Sequence, residues 1–267
     1  MIVLSEKNKV FIEQLAKNLS DAQKSRQGIP PLTEGNPTLS VEEAYNIQLV
    51  NVEKLLEEGK RIIGKKIGLT SVAMQEALGV DEPDYGHLLD HMAVSNGEQI
   101  CQDQVMQPKV EAEIAFILKE DLQGPNVSTL DVLQATKYIT PAIEVIDSRI
   151  IDWEITLPDT VADNASSGLY VLGEKLFNVT DYNLKQTGMA LYKNGELCNT
   201  GVGAAALGDP AYCVAWLANK LAEFDISLKA GEVILSGALS TAVEIEPGDY
   251  IQARFANLGE VSIRYSK

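Results

Sequence analysis

The spacing of apolar residues changes once along the chain. Phe11, Leu15 and Leu19 recur every four positions and predict an amphipathic helix over 5–24. The stretch QGIPPLTEGNPTLS (27–40), punctuated by Pro and Gly, reads as a loop. Ser40 followed by Glu43 is a capping-box pattern, and it opens a second helix with Ala44, Ile47, Asn51 and Leu55 on one stripe and Gly59 as its stop. From Arg61 the pattern is that of strands. RIIGKKIGLTS predicts a strand followed by a short helix over 72–78 that ends at Gly79. PKVEAEIAFIL (108–118) is a second strand, Ser128 opens a helix to about Tyr138, and AIEVIDS (142–148) is a third strand. MALYKNGELCNT is a hairpin turning at Asn194-Gly195 in the type I′ manner. Asp209 and Pro210 are N-cap and first residue of a helix to about Phe224, with Val214, Leu217 and Leu221 inward. The tail from Glu232 predicts three or four strands with turns at Pro247-Gly248 and Leu258-Gly259. Strands outnumber helices after residue 60 without regular βαβ alternation. The expected fold is therefore α+β, a largely antiparallel or mixed sheet core over 61–267 behind a helical arm over 1–60.

The strand at 108–118 carries an anomaly. Side chains alternate along a strand, so Val110, Ala112, Ile114, Phe116 and Leu118 share one face. Glu111, Glu113, Ala115 and Ile117 share the other. Two carboxylates about 6.5–7 Å apart on a face that turns apolar repel each other and resist desolvation. They need an open sheet end or a positive group between them. In PAIEVIDSR, Glu144 is again an acid inside an apolar strand, on the face of Ala142 and Ile146. If the strands are neighbours, Glu111, Glu113 and Glu144 converge on one divalent cation, and oxygen-only ligands select hard ions, Mg²⁺ or Mn²⁺ before Zn²⁺. A solvated Glu-x-Glu face is the competing reading.

Composition narrows the partners. The chain has 267 residues, 45% hydrophobic, and a formal net charge of −16 with 22 Lys plus Arg. No basic cluster is present, which argues against nucleic acid. No apolar run approaches the ~20 residues of a membrane span. The opening MIVLSEKNKVFIEQL turns charged after four apolar residues and shows no signal-peptide pattern. Cys101, Cys198 and Cys213 are an odd, unpaired set, so free thiols in a cytoplasmic protein are expected. An acidic protein that takes an anionic substrate needs a local positive centre.

Two further pairs offer chemistry. Lys65 and Lys66 point to opposite faces of their strand, so one goes inward while the other meets water; two solvated lysines at a strand end are the alternative. His87 and His91, four apart in YGHLLDHM, lack the glutamate of a zinc-protease helix. Gly86 and the preceding DEPDYG make this a loop, and a surface pair is expected. Cys213, near the apolar stripe of its helix, reads as a buried thiol.

GKKIGLTS, GVDEPDYGHLLD, PKVEAEIAFIL, PAIEVIDSRIIDW, DTVADNASSG, WLANKL and GEVILSGAL occur in the order seen in the 2-hydroxypenta-2,4-dienoate hydratases of the fumarylacetoacetate hydrolase superfamily. The chain resembles that family from about residue 40 to its end. Glu-x-Glu with a distant Glu is general to the superfamily, whereas DTVADNASSG and SRIIDW narrow the resemblance to its hydratase and decarboxylase branch. The resemblance implies a β-roll or barrel-like catalytic core, an N-terminal helical region and a homo-oligomer, a pentamer or decamer, with association with neighbouring pathway enzymes among its implications. It implies Glu111, Glu113 and Glu144 as ligands of Mg²⁺ or Mn²⁺. It places the active-site lysine on Lys66 rather than Lys65, the acid on Asp84, and substrate contacts on Thr70 and Ser166. It leaves both histidines outside the site.

The implied reaction is hydration of a 2-hydroxydienoate in the degradation of aromatic compounds, with Lys66 and Asp84 handling charge and protons. The nearest rival is metal-dependent decarboxylation of 4-oxalocrotonate by the same branch. SRIIDWEI reads as hydratase-like. A C–C hydrolase would need a Glu–His pair that the two clustered histidines do not supply. A noncatalytic partner subunit would need an incomplete site, and a structural Ca²⁺ protein would present its oxygens from a loop.

Overall fold

A computed structural model describes residues 6–267; the first five residues, on which the reading of the N-terminus partly rests, lie outside the described residues. The chain begins with helix α1 (Glu6–Ser25), a single turn α2 (Leu32–Gly35) inside the expected loop, and α3 (Val41–Glu57). Ser40 caps α3 as the pattern predicts. Its Oγ accepts from Glu43 N at 3.2 Å, and Glu43 Oε2 accepts from Ser40 N at 3.0 Å. Such a cap stabilises the helix by about 1 kcal/mol. Ile12, Leu15 and Leu19 of α1 and Ala44, Tyr45 and Ile47 of α3 belong to the same buried cluster as the sheet residues Val110, Ile114 and Phe116.

Strand β1 (Ile62–Gly68) leads to α4 (Val72–Leu78), which Gly79 ends in the left-handed conformation. Strand β2 (Asp84–Leu89) follows, then β3 (Ala93–Val94), β4 (Gln99–Cys101) and β5 (Lys109–Leu118). Helix α5 (Thr129–Ala135) stops three residues short of expectation because β6 (Thr136–Ile146) starts at once, its Thr136 buried in the ladder. Helix α6 (Leu157–Ala162), β7 (Ser167–Leu172), the hairpin β8 (Gly188–Lys193) and β9 (Glu196–Val202), and α7 (Pro210–Leu221) come next. Asn194 and Gly195 both have positive φ, as a type I′ turn requires. The tail supplies β10 (Val233–Leu235), β11 (Val243–Glu244), β12 (Tyr250–Phe255) and β13 (Gly259–Ser266).

Among the described residues the strands form two sheets. One has the order β4-β13-β12-β8-β9. The larger has the path β2-β1-β10-β5-β6-β7-β3, with β11 beside β5. It is mixed: β1 runs parallel to β10 and β3 parallel to β7, while the β5–β6 pair is antiparallel over ten register positions. The path curls. Its two end strands, β2 and β3, are joined in the chain only by Asp90–Met92. That link spans at most about 15 Å, well short of the roughly 29 Å across a flat seven-strand sheet, so the path bends back on itself. Leu88 and Leu89 from one end accordingly share a buried cluster with Met92 and Tyr170 from the other. The result is the expected α+β barrel-like core, with residues of the helices and of the second sheet, such as Ile251 and Ile263, in one buried cluster with Val110, Ile114 and Phe116 of β5.

Two expectations fail here. Lys65 does not meet water: it is 2% exposed and pairs with Glu232. His87 is not in a surface loop. It lies on β2, 2% exposed, with Nδ1 3.0 Å from Gln48 Oε1, while His91 alone is exposed. All six residues of β2 are buried, so its two covered faces show no alternation to read. No described helix is long and apolar enough to cross a membrane.

Candidate active site

The register of β5 and β6 brings the acids together. Glu111 lies directly opposite Glu144, and Glu113 opposite Ala142. One carboxylate oxygen from each of Glu111, Glu113 and Glu144 lies within 4.8 Å of the other two. Glu113 and Glu144 are buried and Glu111 half-buried. Glu113 Oε2 accepts from Gly237 N at 2.7 Å. Glu113 Oε1 and Glu144 Oε2 are buried without a hydrogen-bond donor, and Glu144 Oε1 has only the Lys66 ammonium near it. Orphaned carboxylate oxygens in such a place cost free energy unless a cation meets them. The all-oxygen donor set fits a hard divalent ion with open positions for other ligands.

Lys66 reaches the same place from β1. Its Nζ lies 3.3 Å from Glu144 Oε1, an ion pair with both side chains buried. Asp84 opens β2 opposite Gly68 of β1. A Cβ at position 68 would lie 2.2 Å from Asp84 Oδ1 and 3.5 Å from Lys66 Nζ, so glycine there lets acid and amine share the space. Asp84 Oδ1 is buried and unpartnered, and Oδ2 is 3.4 Å from Thr160 Oγ1. Thr70 packs on Gly237, whose φ of +101° and close approach to the Thr70 hydroxyl both demand glycine.

Ser166 stands on an unusual turn. Asn164, Ala165 and Ser166 all have φ between +50° and +56°, a region that costs on the order of 1 kcal/mol or more per non-glycine residue. The turn is over-determined by its neighbours. Asn164 Oδ1 accepts from His87 N at 2.7 Å and its Nδ2 donates to His87 O at 2.9 Å. Arg149 pairs with the Asp163 carboxylate and donates to the Asp163 and Ser167 carbonyls, all buried. SRIIDW and DTVADNASSG, read in the sequence as signatures, are thus the two halves of one clamp that holds Ser166 against Thr160, the neighbour of Asp84. Thr160, Gly68, Gly237 and this clamp were not singled out as site residues from sequence. A lone threonine inside a six-residue helix carries no pattern that would mark it.

The charges perturb one another. Burial raises the Glu111 carboxyl to about 7, with the Glu144 charge adding and Lys66 opposing. Burial, then Glu144 and Glu111, hold Glu113 well above the usual range. Burial raises Glu144 against the pull of Lys66. Asp84 is raised by burial, opposed by Lys66 and by the Thr160 hydroxyl. Burial alone would lower Lys66, but Glu144, Asp84, Glu111 and Glu113 outweigh it and the ammonium is held above its ordinary value.

A stability prediction follows in which the signs matter. Each raised carboxyl binds its proton more tightly folded than unfolded. Its contribution is present below 4.5 and lost as pH rises, through about 7 for Glu111, with Glu113 moving in the same direction. His87 runs oppositely: burial lowers its ring to about 3, so its contribution is present above 6.5 and lost as pH falls. Above about pH 6.5 the His87 contribution is complete, and the crowded carboxylates of the site are expected to dominate the slope. In chelator the protein is expected to lose Tm between about pH 6.5 and about pH 8, and divalent metal to restore it. A Tm that rises with pH in chelator would contradict charge crowding at this site.

Residues 67–264 match the family model described as fumarylacetoacetate (FAA) hydrolase C-terminal. The chain is 45% identical over 253 residues to a 2-keto-4-pentenoate hydratase of Paraburkholderia xenovorans, covering 95% of this chain and 94% of the relative. It is 50% identical over 221 residues to a 2-hydroxypent-2,4-dienoate hydratase of Pseudomonas putida, covering 82% of this chain and all of the relative. Its fold is similar, with a TM-score of 0.94 and 35% identity over 99% of this chain and 100% of the other, to a 4-oxalocrotonate decarboxylase from Pseudomonas putida complexed with magnesium and adipate.

Proposed function

The chain belongs to the fumarylacetoacetate hydrolase C-terminal family, and on that footing we propose that it is a metal-dependent hydro-lyase that adds water to 2-hydroxypenta-2,4-dienoate to give 4-hydroxy-2-oxopentanoate. The hydratase relatives at 45% and 50% identity support this assignment over the decarboxylase at 35%. The observation that carries it is the meeting of three glutamates, two of them with buried oxygens that no hydrogen-bond donor reaches, and one buried lysine on the inner face of the barrel.

Glu111, Glu113 and Glu144 would hold the divalent ion, Mg²⁺ or Mn²⁺. When bound, such an ion supplies Lewis-acid charge against which a 2-oxo acid stabilises negative charge developing at its oxygen. The chain's own groups do the rest. Lys66, held protonated among four carboxylates, lies where it can meet the substrate's developing charge and deliver or hold a proton. Hydration needs a proton at the terminal carbon of the dienol as the 2-hydroxyl becomes a ketone, then water at the adjacent carbon with a proton at the next. Asp84, with Oδ1 free and its pKa raised, is the group to orient or deprotonate that water. Thr70, packed on Gly237 next to Glu113, and Ser166, in line with Thr160 and Asp84, would contact the substrate. The proposal extends to a homo-oligomer of the pentamer or decamer type, which rests on the family resemblance, and to a cytoplasmic location, which rests on the three unpaired cysteines.

Exhaustive chelation is expected to abolish consumption of the dienol, and Mg²⁺ or Mn²⁺ to restore it, followed by loss of dienol absorbance. Full activity in chelator would remove the metal from the proposal.

A further inference from the structure

Three buried polar groups stand in a row at the edge of the site. Thr160 Oγ1 lies 3.4 Å from Asp84 Oδ2 on one side and 3.4 Å from Ser166 Oγ on the other. Exposure is 3%, 5% and 3% for Asp84, Thr160 and Ser166, so water does not replace these contacts freely. A helical threonine ordinarily turns its hydroxyl back to the carbonyl of the preceding turn. The hydrogen bonds of the Thr160 hydroxyl instead run to two side chains on the site. A hydroxyl has one proton and two lone pairs. With the proton given to the Asp84 carboxylate, Thr160 accepts from Ser166, and the chain of donors runs from Ser166 through Thr160 to Asp84.

The fold holds Thr160 from both neighbours. On one side, the Asp159 carboxylate accepts from Thr156 N at 3.0 Å, from Thr33 N at 3.1 Å and from Thr33 Oγ1 at 2.7 Å. On the other, Val161 O accepts from Gln48 Nε2 at 2.8 Å, and the same nitrogen donates to Tyr85 O beside Asp84. Helix α6 is therefore pinned to α2 by one contact and to α3 and β2 by the other. The far end of the row is pinned by the left-handed turn that carries Ser166. Two separate devices thus fix one hydroxyl against Asp84.

We propose that Thr160 is a positioning residue for the reaction. It orients the Asp84 carboxylate so that Oδ1 faces Lys66 and the substrate space, and it couples Asp84 to Ser166. This inference rests on the reading of Asp84 as the site's acid–base group. A hydroxyl donated to a carboxylate favours its ionised form. Removing it raises the pKa of Asp84, so a base step loses activity on the acid side first.

Thr160→Val, Thr160→Ser and Asp84→Asn should be compared in full chains loaded with Mg²⁺. Thr160→Val is expected to lower kcat by about tenfold or more, leave KM and Mg²⁺ affinity within about twofold, and move the acid limb of the kcat profile to higher pH. Thr160→Ser should recover kcat to within about threefold and restore the limb. If Thr160→Val fails to fold, Thr160→Ala is read in its place against the same serine variant. A hydroxyl-free variant with wild-type kcat and an unmoved acid limb, beside an inactive Asp84→Asn, overturns the role of Thr160 and leaves Asp84 standing. An active Asp84→Asn overturns the reading of Asp84 and this inference with it. Equal losses in the serine and hydroxyl-free variants also overturn it, since packing and not the hydroxyl would then matter.

Discussion

Replacing Lys66 with methionine is expected to lower turnover by roughly 10²-fold or more, the scale of losing a charge-stabilising or proton-transferring group. The reason is a charge count. Glu111, Glu113, Glu144 and Asp84 surround Lys66, and each raises its affinity for a proton. One divalent ion does not balance these acids together with an anionic substrate, so a second fixed cation is needed. Methionine keeps the unbranched apolar stem of the side chain and removes the ammonium, its charge and its donors together. The three glutamates remain, so metal affinity measured by calorimetry should survive while the steady-state loss of dienol absorbance collapses. A loss below about threefold would take Lys66 out of the mechanism.

Lys65→Met should give the opposite profile, a stability loss with a smaller effect on turnover per folded molecule. Lys65 Nζ lies 2.7 Å and 2.9 Å from the two oxygens of Glu232, with the side chains 3% and 10% exposed. Burial pulls the Lys65 ammonium below its ordinary value in spite of Glu232. Breaking such a pair from one side leaves a buried charge and costs about 3–5 kcal/mol. Glu232 keeps one donor, Lys229 N at 3.0 Å, which places the expectation at the lower end. At about 2–4 °C per kcal/mol for a chain of this size, Tm should fall by roughly 6–12 °C. A second change, Glu232→Gln, should return part of that loss, because the stranded charge is then gone. A fall of under about 2 °C in the single variant would mean that water reaches the pair.

Adjacent lysines with such different fates show where sequence reasoning reaches and where it stops. Strand alternation is local, so the separation of Lys65 from Lys66 and the common face of Glu111 and Glu113 were legible. The capping box at Ser40 and the turn at Asn194-Gly195 were legible for the same reason. What lies opposite each face is not local. Glu232, the partner of Lys65, is 167 positions away, and nothing in RIIGKKIGLTS distinguishes a lysine paired inside the protein from one in water. The register that sets Glu111 against Glu144 is likewise a long-range property of β5 and β6. His87 was misread because Pro83 and Gly86 punctuate a strand buried on both sides. The Asp84, Thr160 and Ser166 row joins β2, α6 and the turn before β7, and no spacing in the chain encodes it.

The central claim is addition of water, and the most direct test is the identity of the product. Freshly prepared 2-hydroxypenta-2,4-dienoate, mixed with the protein and Mg²⁺ in ¹⁸O-labelled water, is predicted to give 4-hydroxy-2-oxopentanoate carrying the label on its new hydroxyl. Return of unhydrated 2-oxo acid from that substrate, together with release of CO₂ from 4-oxalocrotonate under the same conditions, would contradict the account and assign the site to decarboxylation.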